Sequence, residues 1–361
     1  MNIKRLNDVS QRLYNYNGVA PCYFRTTAKP PFKKAILQIT ERCNLFCAHC
    51  FISANTIGKE MGYLDIKNKL LDRLIKENVK KITITGGEPL VHPQFLDICK
   101  LLGAAGFDIT ICTNGTLVDS DILRTLSKIR RLKFNISLDG FSFESHGRFR
   151  GMKSKTDFSD LLEKIRDIGY SGKLNGLLCT PNIYCKDDEF VKICEFAKLH
   201  KAKYVLFNPL SKMGRGQKTS KLSYDYMRFD TIKKSTQCFI DDEFEVIYIR
   251  FPNNGRTPLP MCELGNMIYV FTNGDYTLCP YMVFACNNEN SVYPQNKFIL
   301  GNAFEEDFLL SDNNIEDVLN IKLNRKCSIN DKCFGGCYAA KIMSGKYIDD
   351  CDTELCPLND E

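Results

Sequence analysis

From Lys34 to Asn208 two periods alternate along the chain. Short apolar runs at Ala35–Thr40, Lys81–Thr85, Asp108–Thr113, Phe134–Leu138, Lys173–Cys179 and Tyr204–Asn208 read as strands. Their near-continuous apolar character suits parallel strands covered by helices. Between them, apolar positions recur at helical spacing. Ile66, Leu70, Leu71, Leu74 and Ile75 make one stripe. Phe95, Ile98, Leu101, Leu102 and Ala105 make another, with Pro93 suited to a first turn. Phe158, Leu161, Leu162, Ile165 and Ile168 make a third, stopping near Gly169. Six βα units in a row predict an α/β fold, either a parallel barrel or a doubly wound sheet. Barrels place their chemistry on the loops that follow the strands.

After Pro209 the alternation stops. Residues 209–260 read as a connector, with Gly214, Gly216 and a Pro/Gly/Asn-rich stretch from Pro252 to Pro260. Residues 262–356 hold eight of the 18 cysteines and few long apolar stripes. A segment poor in core and rich in cysteine needs another source of stability, and metal supplies one.

Composition narrows the class. With 44% hydrophobic and 25% charged residues over 361 positions, the chain is an ordinary globular protein. No apolar run approaches the roughly 18 residues of a membrane span. Met1–Leu6 is not followed by an apolar signal segment. A cytoplasmic location is therefore expected, with thiols kept reduced and bound to metal rather than paired as disulfides. The net charge of +6 belongs to the first 42 residues, which hold eight Lys/Arg and two Asp/Glu. This arm (residues 1–33 precede the first barrel strand) is too sparse for a nucleic-acid footprint. It reads as a solvated arm, or as a hold on an acidic partner through Lys4, Arg5, Arg12, Arg25, Lys33 and Lys34.

Directly after the first strand comes Cys43-Asn-Leu-Phe-Cys47-Ala-His-Cys50. Three thiolates on one loop reach three corners of a small cluster. A structural zinc site wants four protein ligands, and a fourth would have to come from afar. Three cysteines instead leave one iron of a [4Fe–4S] cluster open. The second strand runs into Gly86-Gly87-Glu88-Pro89. Two glycines there allow close backbone approach to a ligand, and Glu88 can accept hydrogen bonds from a ligand's ammonium. Taken alone, the motif reads equally as a tight βα turn.

In this order the two motifs resemble the radical S-adenosylmethionine (radical SAM) superfamily, over residues 34–208. The resemblance implies a partial (β/α)6 TIM-like barrel. It implies that Cys43, Cys47 and Cys50 hold a [4Fe–4S] cluster whose open iron chelates the amine and carboxylate of S-adenosylmethionine. One electron then cleaves the sulfonium to a 5′-deoxyadenosyl radical, which abstracts hydrogen from a substrate. His49 falls where the family places a ring near the adenine. Gly86, Gly87, Glu88 and Pro89 match the motif that receives the methionyl amine. Asn114, after the third strand, and Ser137 and Asp139, after the fourth, look like segments of peptide-modifying members. Ser137 is a candidate for the ribose or carboxylate. Arg150 suits the methionyl carboxylate, which arginine grips bidentately, and Arg148 is its near competitor. Asn175, in the fifth strand, is a candidate to face the cofactor. A turn or surface role is the plainer alternative for each of these.

Cys262 is followed after 11 residues by Gly274, then after four by Cys279. Cys327, Cys333 and Cys337 follow as CX5CX3C, then Cys351 and Cys356. This resembles the SPASM extension of radical SAM enzymes, a small cysteine-rich α+β domain that carries auxiliary iron–sulfur clusters, here at residues 261–361. The resemblance implies one or two auxiliary clusters, and two are preferred. The near-barrel cluster would take Cys262, Cys279 and Cys337, its fourth ligand left open with Cys286 a candidate. The distal cluster would take Cys327, Cys333, and Cys351, Cys356 or both. One departure bears on the count: Asn324 stands where the family pattern has a further cysteine. Of the other thiols Cys22 lies in the basic arm, and it reads as structural.

SPASM-type members mostly modify ribosomally made peptides, by crosslink, thioether or epimerisation, so a precursor peptide is the expected partner. A flavodoxin or ferredoxin would supply the electron, and a separate protein would hold the leader. A small-molecule substrate such as a tetrapyrrole is the alternative, and a non-catalytic iron–sulfur electron carrier a further one. Sulfatase-maturing relatives place an aspartate directly after the cysteine matching Cys279. Pro280 stands there and cannot take a proton. Tyr281 is the nearby acid/base candidate. No nucleic acid or membrane partner is expected.

Overall fold

The computed structural model describes residues 19–20, 22, 28, 31–259, 262, 264–305, 328–329 and 332–358. Seven parallel strands lie side by side in chain order: β2 (Lys33–Thr40), β3 (Val79–Gly86), β4 (Asp108–Thr113), β5 (Leu132–Ser137), β6 (Leu174–Cys179), β7 (Tyr204–Phe207) and β8 (Glu245–Ile249). A short β1 (Val19–Ala20) runs parallel beside β8. On the other edge β9 (Met267–Val270) runs parallel beside β2 and leads into antiparallel β10 (Asp275–Thr277) and β11 (Gly301–Asn302). This is the α/β architecture of a partial barrel. The six expected strands are present, each shifted by no more than two residues at either end. A seventh, β8, lies in the stretch read as a connector, where helix Phe229–Thr236 leads into it.

The strands are less uniformly apolar than parallel strands under two helical layers. In β4, Ile109, Ile111 and Thr113 are buried while Asp108, Thr110 and Cys112 are half-exposed. In β7, Val205 and Phe207 are buried while Tyr204 and Leu206 are not. Helices therefore cover one face, and the other remains open, as the inner wall of an incomplete barrel does. The covered face joins Leu37, Ile84, Ile111, Ile136, Leu177 and Val205 to Ile98, Leu102, Ile165 and Ile193 in one core. Each such side chain contributes about 1.5–3 kcal/mol of hydrophobic stabilisation when fully buried.

Local chemistry sets the helix boundaries. Ser154 caps helix Lys155–Tyr170 by accepting from the Asp157 N–H, and the Asp157 side chain returns the bond. Its buried stripe is Phe158, Leu161, Ile165 and Ile168. The stripe from residue 66 is helical in two pieces, a π turn at Ile66–Leu70 and an α-helix at Leu71–Lys76. It buries Ile66, Leu70 and Leu74, but Ile75 is 53% exposed.

The C-terminal segment is attached to both edges of the sheet. β9 extends the β2 edge, while at the β8 edge Arg250 grips Asp352 bidentately (2.6 and 3.1 Å) and Glu354 at 2.6 Å. Arg250 and Asp352 are both buried, where an ion pair is strong only if its hydrogen bonds are made. Among the described residues no helix is long and apolar enough to cross a membrane.

Candidate functional site

The loop after β2 carries Cys43, Cys47 and Cys50. Two of its sulfurs already accept amide hydrogen bonds, Cys43 from Leu45 N–H and Cys50 from Ala54 N–H, both at 3.4 Å. Such bonds favour sulfur carrying negative charge, as cluster ligands do. Burial pushes the Cys47 thiol up to about 12 and raises Cys43, while the Arg150 charge pulls both back. A bound cationic cluster would have to displace those protons. Among the described residues, no three His, Cys, Asp or Glu side chains converge closely enough for a single metal ion.

The glycines of Gly86-Gly87-Glu88-Pro89 have a cause inside the protein. The backbone after β3 continues to pair with the cysteine loop, through Gly87 N–H to Thr40 O and Glu88 N–H to Arg42 O, both 2.9 Å. A Cβ on Gly87 would stand 2.4 Å from Arg42 O, and one on Gly86 2.5 Å from Thr40 O. Neither contact is survivable without moving backbone. The close approach that demands glycine is thus to the cysteine loop itself. Pro89, itself buried, opens the 3-10 turn Pro89–Val91.

Glu88 is fully buried. Its Oε1 accepts from Leu90 N–H (3.2 Å) and the Thr113 hydroxyl (2.6 Å), and its Oε2 from Asn114 N–H (2.7 Å). Burial still pushes its pKa up to about 7 against these bonds. A carboxylate offers about four lone-pair positions, so one remains on Oε2. Asn114 passes the tie onward, donating to Asn44 Oδ1 in the cysteine loop at 2.9 Å. Thr116 closes the ring with bonds to Asn44 and Asn114. The ends of β3 and β4 are thereby fixed to the loop.

Asp139, past the end of β5, is fully buried and paired bidentately with Arg150, at 2.6 and 3.1 Å. It also accepts from Thr180 N–H at 2.9 Å. Burial pushes its carboxyl up, but Arg150 and His49 pull harder and hold it at about 2. The Arg150 fork therefore grips a protein carboxylate, and Arg148 is exposed. His49 stacks on Phe149 at 4.3 Å and stands 3.9 Å from Asp139 Oδ2. Burial lowers its pKa to about 4, so the ring is neutral near pH 7. His146, which the sequence reading passed over, accepts from Asp139 N–H at 3.0 Å.

The sequence reading also missed Arg215. It lies past β7, in the expected connector, yet it donates to Cys47 O (2.7 Å) and Ala54 O (2.6 Å) and covers the Phe46 ring at 3.8 Å. Arg215 N–H bonds Cys50 O, and the Thr219 hydroxyl bonds Ala48 O. Gly214 makes the approach at φ +53, where a Cβ would meet Phe51 O at 2.4 Å. The Gly214–Arg215–Gly216 triplet was the available signal. Two buried polar atoms beside the loop, His49 Nδ1 and Arg215 Nη2, have no hydrogen-bond partner among the described residues.

The remaining candidates spread along the fold. Ser137 ends β5 half-exposed. Asn175 sits near the start of β6, away from the loop end, donating to Asn135 Oδ1 at 2.9 Å. Tyr281 is buried edge-on against Phe51 of the cysteine loop, with ring centroids 5.0 Å apart. In the second constellation, Cys279 and Cys337 are buried and Cys262 is half-buried against the same core. Cys286 is buried. Cys333 accepts from Leu259 N–H and packs with Leu355 beside Cys356. Cys351 is half-buried one residue before Asp352. Cys327 and Asn324 lie outside the described residues.

An open parallel barrel that delivers three cysteines after one strand and GGEP against them from the next has the form of a radical SAM domain. Residues 37–197 match the family model described as the Radical SAM superfamily, so this stretch of the chain is a radical SAM domain. The chain is similar to the mycofactocin maturase MftC of Mycobacterium tuberculosis (strain ATCC 25618 / H37Rv), 24% identical over 343 residues, covering 88% of this chain and 81% of the relative. It is also similar to the antilisterial bacteriocin subtilosin biosynthesis protein AlbA of Bacillus subtilis (strain 168), 26% identical, covering 87% and 68%. Among solved structures it resembles Streptococcus suis SuiB bound to precursor peptide SuiA, with TM-score 0.67 and 18% identity, covering 90% and 76%. At that identity the likeness is one of fold.

Proposed function

We propose that this enzyme modifies a ribosomally made precursor peptide, by crosslink, thioether or epimerisation. The observation that carries the chemistry is the Glu88–Asn114–Asn44 tie, which locks the ends of β3 and β4 to the three-cysteine loop. The peptide reading draws support from the relatives: a maturase, a bacteriocin biosynthesis protein, and a fold neighbour solved with a precursor peptide. The cluster and S-adenosylmethionine would together supply a hydrogen-abstracting radical. Cys43, Cys47 and Cys50 would hold the cluster. The last lone pair of Glu88 suits a ligand's ammonium, and the unpartnered Arg215 Nη2 suits its carboxylate, a role that Arg150 already fills toward Asp139. His49, neutral and stacked, suits an adenine neighbour. The half-exposed inner wall, with Ser137 near the mouth, would receive the substrate.

Two auxiliary clusters belong to the same reading. Cys262, Cys279 and Cys337 would serve the one near the barrel, with Cys286 a candidate fourth ligand, and Cys327 and Cys333 with Cys351, Cys356 or both the distal one. A flavodoxin or ferredoxin would act as reductant. The test is anaerobic incubation of reconstituted protein with dithionite, S-adenosylmethionine and a candidate precursor peptide. The expected result is 5′-deoxyadenosine above a Cys43→Ala control and a mass change in the peptide. A nucleoside level equal to that control removes the radical chemistry. Nucleoside formation with unchanged candidate peptides, alongside a modified tetrapyrrole, replaces the peptide with a small molecule.

A further inference from the structure

The cysteine loop, residues 43–58, carries no Lys, Arg, Asp or Glu. Two segments that pack against it are charged with one sign. A Cβ on Gly151 would stand 3.0 Å from Phe46 O, and Ala48 N–H bonds Phe149 O at 2.9 Å. From the other side the Thr219 hydroxyl bonds Ala48 O at 2.8 Å. The segments that make these contacts, residues 148–155 and 211–222, hold eight Lys/Arg and no Asp/Glu, in a chain that has 49 and 43. Arg150 and Arg215 spend their hydrogen bonds inside the protein. Lys155 and Lys212 stand 3.8 Å from Glu144 and 3.9 Å from Glu354. The other four, Arg148, Lys153, Lys218 and Lys221, are exposed, and none has an ion pair among the described residues. Each is one or two residues from a contact with the loop. Where the two segments meet the loop lies Phe46, which is 64% exposed although it directly precedes Cys47. Arg215 covers one face of that ring only.

We propose that this face, with Phe46 at its centre and Arg148, Lys153, Lys218 and Lys221 at its rim, is where an acidic one-electron carrier protein docks to reduce the cluster. The inference rests on the radical reading above and adds to it the place where the electron enters. An aromatic centre with a charged rim is the make-up of a protein interface, and cations without counter-charges select an acidic partner. Electron-carrier complexes are small and short-lived, so one exposed ring and four charges are on the right scale. The position favours a reductant over an acidic part of the substrate. A carrier seated on Phe46 stands one residue from a cluster ligand, whereas a substrate has to reach the inner wall of the barrel. The balance is one for one: the carrier is oxidised by one electron, and cleavage of one S-adenosylmethionine takes that electron up.

The test uses the full reconstituted chain and a recombinant flavodoxin with an acidic surface. Affinity is measured by anaerobic titration calorimetry at ionic strengths of about 0.02 and 0.5 M. Joint replacement Lys153→Glu, Lys218→Glu and Lys221→Glu is expected to weaken binding roughly tenfold at low salt and to match the parent at high salt. Phe46→Ser should weaken it at both, because its part is apolar burial. A control carries the same change of net charge at the opposite ends of β3 and β7, as Lys80→Glu, Lys201→Glu and Lys203→Glu, and should bind like the parent. With dithionite, which needs no docking, the first triple variant should form as much 5′-deoxyadenosine as the parent. With chemically reduced flavodoxin it should form less. The proposal is overturned by any of four results: no binding of flavodoxin to the parent at low salt, parent-like binding by the first triple variant, an equal loss in the control, or equal losses of activity with both reductants. Absence of 5′-deoxyadenosine from the parent with dithionite strikes the radical reading instead, and the calorimetry is independent of it.

Discussion

Glu88 has no exposure to water, and its surroundings decide when it ionises. Its folded pKa of about 7 stands above the ordinary 4.5 of an unfolded glutamate. Between those values the unfolded chain has released a proton that the folded chain keeps. The stability it contributes is therefore fully present below about pH 4.5 and is lost as pH rises toward 7, at about 1.4 kcal/mol per pH unit. Glu88→Gln should flatten that part of the profile, read from urea midpoints at pH 5.5 and 7.5. A slope identical to that of the parent protein would contradict the burial argument. Asp139 works with the opposite sign, since its carboxyl is held at about 2 by Arg150. Asp139→Asn leaves a buried guanidinium without its counter-charge, and the expected cost is about 3–5 kcal/mol in urea unfolding. A second change, Arg150→Met, should restore part of it. Sequence pattern exposed these residues as a set, because motif and strand ends marked them. It could not show that Arg150 and Glu88 spend their hydrogen bonds on the protein, since partners distant in sequence leave no local trace.

Between strands and loops, the same logic applies to backbone. Gly87→Ala must push the cysteine loop away from β3, because its Cβ would fall 2.4 Å from Arg42 O. The protein should fold but lose the four irons of the loop, an outcome checked by iron analysis against the Cys43→Ala protein. The segment after β7 clamps the loop from the other side through Arg215. Arg215→Met should weaken S-adenosylmethionine binding roughly tenfold, the scale of one lost charge-assisted hydrogen bond. Equilibrium dialysis under anaerobic conditions measures it, and unchanged affinity would place Nη2 outside the cofactor pocket. The six barrel strands and three of the helices between them were legible from period alone, while the helices Ser120–Ser127 and Asp187–Leu199 were not marked. The clamp was hidden in a stretch of glycines and polar residues, whose shape is set by what it packs against. β8 escaped notice because its helix, Phe229–Thr236, buries only Phe229, Ile232 and Thr236, too short a stripe to stand out.

Across the molecule, the cysteine-rich segment acts as a bridge. From β1 to β9 there are eight inter-strand steps, which would span about 38 Å in a flat sheet. Yet the chain beyond β8 reaches both edges: β9 pairs with β2, and Asp352 is held by Arg250, whose N–H bonds Ala20 of β1. The sheet must curl to bring those edges together, which is the partial barrel seen from its open side. Arg250 anchors the bridge, and Arg250→Met should free the C-terminal tail by stranding buried Asp352. Limited proteolysis is the check: faster cleavage within residues 332–358 is expected, with the barrel fragment intact. The cysteine spacing marked this segment in the sequence, but the Arg250–Asp352 anchor did not show, since partners 102 positions apart leave no local pattern.

The clamp on the cysteine loop has a consequence in time. Cys47 and Arg215 are 168 positions apart. At roughly 5–20 residues per second of synthesis, the three thiols leave the ribosome about 8–34 s before the segment that will hold their loop. During that interval they are unburied and free to be oxidised. Iron delivered to the nascent chain would meet a loop without its final shape, so cluster insertion belongs after the segment that follows β7 has been made, and the reducing state of the cell must guard the thiols until then.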